Sequence, residues 1–273
     1  MLLVRNLVPG ATRLLHVCNL KNINTLHTLA RGALQGLLCL RTHLGGRFGG
    51  GGKIHRGREH RPAPTIRGLT VLLTIIGGSK GTGAQLASQA RSAGHEVTVL
   101  SRSGQGPEGV RVLTGDATDP AAAARAVQRA DAVVVTVGGA KGNPRHRADV
   151  TRTVIDAMKK EGVQRLMVQS SLGAGDSGSL MPAPLRLAMK VALAKPLADH
   201  NEQEAAVKDS GLKWTIVRPT GLTDKEPAGS WQALETGDSG TLRGSVPRAD
   251  LAACMLGLLE DEDSIGKAVG ISS

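Results

Sequence analysis

Gly77, Gly81 and Gly83 follow the apolar run Val71 to Ile76 with the spacing G-x-x-x-G-x-G, and a helical pattern starts at once behind them. An apolar strand that enters a glycine turn and then a helix brings backbone N–H groups and the positive end of a helix dipole to one point. That point suits a pyrophosphate. The three glycines allow the tight turn, the close approach of backbone to phosphate and the close packing of helix on strand. Ser79, Lys80 and Thr82 lie in the same loop and complete the set expected to hold phosphates. A glycine-rich turn with no ligand has the same spacing. The strand before it and the helix after it favour the phosphate reading.

The second apolar run, Glu96 to Leu100, ends in Ser101-Arg102. An acid at this place commonly binds the ribose 2′-hydroxyl of NAD(H). Arg there pairs instead with a 2′-phosphate, and Lys80 adds a second cation. NADP(H) is therefore expected over NAD(H), with solvated surface charges as the plainer account of both cations. Asp116, after the third run, can accept from an adenine amino group or can serve as a turn or N-cap residue. Val137 and Gly138, after the fourth run, leave little bulk beside a bound dinucleotide.

These residues need a scaffold, and the pattern from residue 70 onward supplies one. Apolar β-rich runs at 70–76, 96–100, 110–114, 132–137, 164–169 and 213–218 alternate with helical patterns at 82–93, 119–129, 146–161 and 184–209. A helix at 247–260 and a short strand near 267–271 follow. Gly94 and Gly162 stand where helices should stop. Strand–helix alternation with near-continuous apolar strands predicts a Rossmann-like, doubly wound parallel sheet buried on both faces. It forms one domain, 70–273, with a small C-terminal portion covering the substrate.

Residues 1–69 differ in kind. They carry eleven Lys or Arg against one acid, Glu59, whereas residues 70–273 carry 23 against 22. The net charge of +11 thus belongs to this basic leader, and the domain offers no basic patch for nucleic acid. The leader reads as a transit peptide, a disordered extension or translated sequence upstream of the true start. The compartment is expected to be the cytoplasm, or a mitochondrion or plastid if the leader is a transit peptide. No apolar run is long enough to span a membrane, so no membrane partner is expected. Cys18, Cys39 and Cys254 match neither a metal site nor a disulfide framework, so no metal is expected. The partner is a small-molecule acceptor, and the chain is read as a monomer or small homo-oligomer.

The segments Gly77 to Gly83, Glu96 to Arg102, Gly115-Asp116, Asp131 to Gly138, Gln169-Ser170-Ser171 and Ser210 to Pro219 resemble the atypical short-chain dehydrogenase/reductases with an NAD(P)H-binding domain. Ser210-Gly211-Leu212-Lys213-Trp214-Thr215-Ile216-Val217-Arg218-Pro219 is the most specific of them. Within that group the chain is most similar to the biliverdin reductase B/flavin reductase type, through Ala198-Asp199-His200 and Ser210 to Lys213. The resemblance implies NADPH and a planar acceptor such as a flavin. It also covers sensors and assembly factors with little catalysis.

The resemblance carries candidate roles. Tyr-dependent members of the superfamily use Tyr-x-x-x-Lys, but this chain has no Tyr, and Val191 stands where the Tyr would precede Lys195. Ketone chemistry by that route is excluded, and epimerase chemistry is disfavoured. Ser171 can orient a substrate or bridge a proton from water, and Ser170 points to the other side of its strand. Both can instead satisfy backbone groups. His200 can donate a proton near neutral pH if its pKa stays near 6.5, or can be structural. The reductase type has a His after its sixth-strand Pro. Here Pro219-Thr220-Gly221-Leu222-Thr223 has none, which counts against biliverdin-like turnover. Pro219 and Thr220 are expected at the nicotinamide end. Segment 172–190, with its Gly and Pro residues, is expected to be a mobile cover, in which Met181 and Met189 give an apolar surface or pack in the core. The function expected is NADPH-dependent reduction of a flavin, quinone or similar acceptor. The alternative is an NADP(H)-binding sensor or assembly factor.

Overall fold

The computed structural model describes residues 70–273, and the leader read from residues 1–69 lies outside the described residues. Six strands run parallel and carry the site: β1 (Leu72–Ile76), β2 (Glu96–Ser101), β3 (Arg111–Thr114), β4 (Ala132–Val135), β5 (Arg165–Gln169) and β6 (Lys213–Pro219). The helices between them are α1 (Gly81–Ser92), α2 (Pro120–Val127), α3 (His146–Glu161), α4 (Ala183–Ala192) and α5 (Ala194–Lys208). The chain continues through β7 (Gly221–Thr223), β8 (Gln232–Glu235), β9 (Ser245–Pro247), α6 (Arg248–Glu260) and β10 (Lys267–Ser272).

The sheet order is β3-β2-β1-β4-β5-β6-β10-β8. The order reverses between β1 and β4, and their C-terminal ends open the crevice where ligands bind in such sheets. Strand side chains alternate between two cores. Ile75, Val99, Val134, Met167 and Val217 meet Leu86 of α1 and Leu251 and Met255 of α6. Ile76, Leu100, Val135, Val168 and Ile216 meet Val127 of α2, Val154 and Met158 of α3 and Val207 of α5. Burial on both faces is why the strands read as continuous apolar runs.

Three features depart from the expectation. The sheet is not wholly parallel, because β8 pairs antiparallel to β10 at one edge. Next, the helix read as 184–209 is two helices. Pro196 has no N–H and its ring would clash with the carbonyl of Ala192, so α4 stops there and α5 starts with Pro196 in its first turn. Finally, the segment after β5 is packed. Leu172, Leu180 and Met181 are buried with Leu234 and Leu242, while Met189 packs partly against them. The Leu242 N–H donates to the Leu180 carbonyl at 2.8 Å. Both methionines thus follow the core reading.

Candidate functional site

The glycine turn joins β1 to α1 as its spacing requires. Gly77 has φ +92° and its N–H donates to the Leu100 carbonyl at 3.0 Å, which ties the turn to β2. A Cβ on Gly77 would lie 3.0 Å from Val137 Cγ1, and one on Gly83 would meet the Gly77 carbonyl oxygen at 2.6 Å. Both positions need glycine because backbone or another strand end fills the space. Lys80 precedes α1 without a capping side-chain bond, so no side chain closes off the first-turn amides. Thr82 Oγ1 is buried there with no hydrogen-bond partner.

A groove of about 390 Å³ runs from this turn across the ends of β2, β3 and β4. It brings together Gly77, Ser79, Lys80, Arg102, Asp116, Val137 and Gly138 from the sequence reading. Gly81, Thr82 and Gly83 stand at the start of α1, outside the lining. Lys80 and Arg102 are exposed, and among the described residues neither enters an ion pair. Asp116 is a turn residue. Its Oδ1 accepts from the Thr118 N–H at 2.9 Å and from the Thr118 hydroxyl at 2.8 Å. The Thr118 amide, then its hydroxyl and the charge of Arg102, hold the Asp116 pKa below the usual carboxylate value. The N-cap of α2 is Asp119. His146, buried at the start of α3, lines the same groove and had no local signal in the sequence.

The ends of β5 and β6 hold a different kind of chemistry. Ser170 is buried, and its hydroxyl donates to Glu204 Oε1 of α5 at 2.7 Å. Its hydroxyl is thus engaged inside the protein, and Ser170 is not among the residues that line the groove. Ser171 is half-buried at the strand end, with its hydroxyl 3.3 Å from the Leu172 carbonyl. The Pro219 carbonyl is already engaged by the Leu172 N–H at 2.9 Å. Beside them, Gln169 Oε1 and Thr220 Oγ1 are buried without partners.

His200 of α5 lies in the same buried cluster. It is 7% exposed, and burial, aided by the nearby Arg147 charge, lowers its pKa from 6.5 to about 4. Its Nδ1 lies 3.3 Å from Gln203 Oε1 and 3.5 Å from Ser170 Oγ. Burial thus disfavours the charged imidazolium and works against a role as proton donor near neutral pH.

Sequence reasoning missed the charged network around it. Arg218 is fully buried in β6 and pairs with Glu204 and with Asp176 at 2.7 Å. A charged residue inside an apolar strand, Thr215 to Pro219, was the available signal. Asp199 of α5 accepts from the Arg147 and Ala148 N–H groups at 3.2 and 3.0 Å, capping α3 from another helix. Arg248, at the start of α6, pairs with Asp224 at 2.8 Å, and its Nε lies 3.4 Å from where a Gly81 Cβ would be. Only folding brings that cation to the phosphate turn.

The site fits an NAD(P)H molecule on two counts. The glycine turn leaves a cradle that a Cβ on Gly77 or Gly83 would fill, and the buried oxygens of Thr82, Gln169, Thr220 and Thr223, at strand and helix ends, lack partners among the described residues. Unpaired buried acceptors are costly unless a ligand or water completes them.

A family model described as NAD(P)H-binding matches residues 77–262. Uncharacterized protein At2g37660, chloroplastic, of Arabidopsis thaliana is 27% identical over 241 residues, which cover 77% of this chain and 71% of that protein. Uncharacterized protein At2g34460, chloroplastic, also of Arabidopsis thaliana, is 33% identical over 124 residues, 44% of this chain and 42% of its own length. Among solved structures, ChuY, an anaerobillin reductase from Escherichia coli O157:H7, has a TM-score of 0.61 and 27% identity, covering 73% of this chain and 96% of that one. A short-chain dehydrogenase/reductase from Veillonella parvula DSM 2008 in complex with NADP has a TM-score of 0.64 at 18% identity, covering 75% of this chain and 95% of that one. The second likeness is one of fold.

Proposed function

Because the chain belongs to the NAD(P)H-binding family, we propose that it is an NADPH-dependent oxidoreductase that reduces a flavin, a quinone or a similar planar acceptor. The observation that carries this reading is the pair of cations Lys80 and Arg102, which line the crevice groove and are without an ion pair among the described residues. They suit a 2′-phosphate, which an acid at position 102 would repel. The amides of Ser79, Gly81, Thr82 and Gly83 hold the pyrophosphate at the positive end of α1. Val137 and Gly138 leave room beside the dinucleotide, and Gln169, Pro219 and Thr220 bound its far end. Bound NADPH supplies a hydride, and catalysis is chiefly a matter of holding the acceptor against it. The chain's own residues bind, orient and exclude water. Ser171 orients the acceptor. His200 stays neutral, so the proton that accompanies reduction comes from water. The likeness to ChuY, a reductase, supports an organic acceptor. The chloroplastic designation of the two Arabidopsis relatives supports the organelle alternative for location.

A second reading has its own observation. Ser170 and His200 are spent in internal hydrogen bonds, and the chain has no Tyr. An NADP(H)-binding sensor or assembly factor needs no acid or base. The test is NADPH oxidation with FMN, riboflavin, dichlorophenolindophenol and quinones, beside calorimetry with NADPH and NADH. Turnover is expected, with Arg102→Ala weakening NADPH binding roughly ten- to a hundredfold and leaving NADH unchanged. Tight binding with no turnover moves the assignment to the sensor. Equal affinity for both dinucleotides in the unmutated chain removes the NADPH preference, and no heat with either removes both readings.

A further inference from the structure

We propose that the outward face of α4 docks on the surface of an anionic lipid bilayer. The helix has apolar residues on two opposite sides. Leu185 and Met189 pack on the cluster of Leu172, Leu180, Met181, Leu234 and Leu242. Leu187 and Val191 lie two residues further round, about 200° away at 100° per residue. They are 68% and 78% exposed, and they are the exposed large hydrophobic side chains among the described residues. No residue of α4 is buried. Pro184 and Ala188 widen the outward apolar band, and Arg186 and Lys190 border it. From Ser177 to Ala198 the chain has Arg186, Lys190 and Lys195 and no acid. Among the described residues none of the three enters an ion pair.

The chemistry of this face selects its partner. A second copy would set Arg186, Lys190 and Lys195 against themselves. A stable protein contact needs about 20–30 residues a side, enriched in aromatics and depleted in Lys. One short helix face of Leu, Val, Ala and Pro edged by Lys and Arg offers neither. A bilayer needs no shape match: aliphatic side chains enter the headgroup boundary while cations meet anionic lipids. No helix of the described residues is long and apolar enough to cross a membrane, and surface docking does not need one. The inference is independent of the acceptor assigned above.

The test must separate α4 from the basic leader, which can bind anionic lipid by charge alone. Leu187→Trp, made in the full chain, reports on α4 itself. With vesicles of phosphatidylcholine and phosphatidylglycerol, its emission is expected to shift to the blue and to be quenched by brominated acyl chains. Adding Arg186→Glu and Lys190→Glu should lower the quenched fraction by more than about tenfold. Phosphatidylcholine alone should give no shift. Vesicle binding without quenching at position 187 assigns the binding to the leader and overturns the proposal. So does an absence of binding, or a blue shift without lipid in a chain that elutes as a dimer. All substituted side chains are exposed, so an unchanged melting curve is the control for folding.

Discussion

Arg218 and Glu204 meet as a two-armed ion pair out of water: Nε donates to Oε1 at 2.9 Å and Nη2 to Oε2 at 2.6 Å. Ser170 adds a third bond to the same carboxylate, and Asp176 receives the remaining guanidinium arm. The pair binds β5, β6, α5 and the segment after β5 into one unit. Gly175 makes this possible, because its φ is +56° and a Cβ there would lie 2.5 Å from both Arg218 Nη2 and Glu204 Oε2.

Breaking that pair from one side leaves a buried charge. Arg218→Met is expected to cost about 3–5 kcal/mol in urea unfolding. The double variant Arg218→Met/Glu204→Leu should cost clearly less than the two single changes together, since it buries no orphan charge. Additive single and double costs would show that the two groups are not coupled.

Gly83 and Gly257 should respond oppositely to alanine. At Gly83 a methyl would meet Thr136 Oγ1, the Gly77 carbonyl and Gly78 Cα, so Gly83→Ala should destabilise by about 1–3 kcal/mol and weaken dinucleotide binding. At Gly257, inside α6, nothing stands in the way, and Gly257→Ala should stabilise by roughly 0.5–1 kcal/mol. Thermal melts with and without NADPH check both.

His200 predicts a pH dependence of stability. Its folded pKa, about 4, lies below the ordinary value of 6.5, so the unfolded chain binds the proton more readily. The stability that comes from keeping the ring neutral is complete above pH 6.5 and falls as pH drops towards 4. The loss approaches about 3 kcal/mol at the acid end. Urea unfolding across that range should show this slope in the unmutated chain and a shallower one in His200→Asn. Acceptor reduction should show no titration belonging to His200 near pH 6.5.

Thr82 separates folding from binding. Its hydroxyl is buried and unpaired among the described residues, so Thr82→Val should leave stability unchanged or raise it by up to about 1 kcal/mol. Affinity for NADPH should nevertheless fall roughly three- to tenfold if, as proposed, the hydroxyl bonds the ligand. A loss of stability with unchanged affinity would reverse that assignment.

The strands, most of the helices and the glycine turn were legible in the sequence because each is set by neighbours in the chain. Val71 to Ile76 is apolar because that strand is covered on both faces, and Gly77 and Gly83 are glycine because the turn admits no Cβ. The cations Lys80 and Arg102 were legible for the same reason, each standing at a fixed distance from a strand end. Tertiary structure alone decided what lies between elements far apart in sequence. It made Ser170 a buried partner of α5, turned His200 of that helix inward, brought Arg248 to Gly81, and gave Asp199 to the start of α3. It also left Leu187 and Val191 in solvent, although their types suggest a core. Periodicity records which residues share a face. Burial, pairing and protonation depend on what that face meets, and only packing supplies the partner.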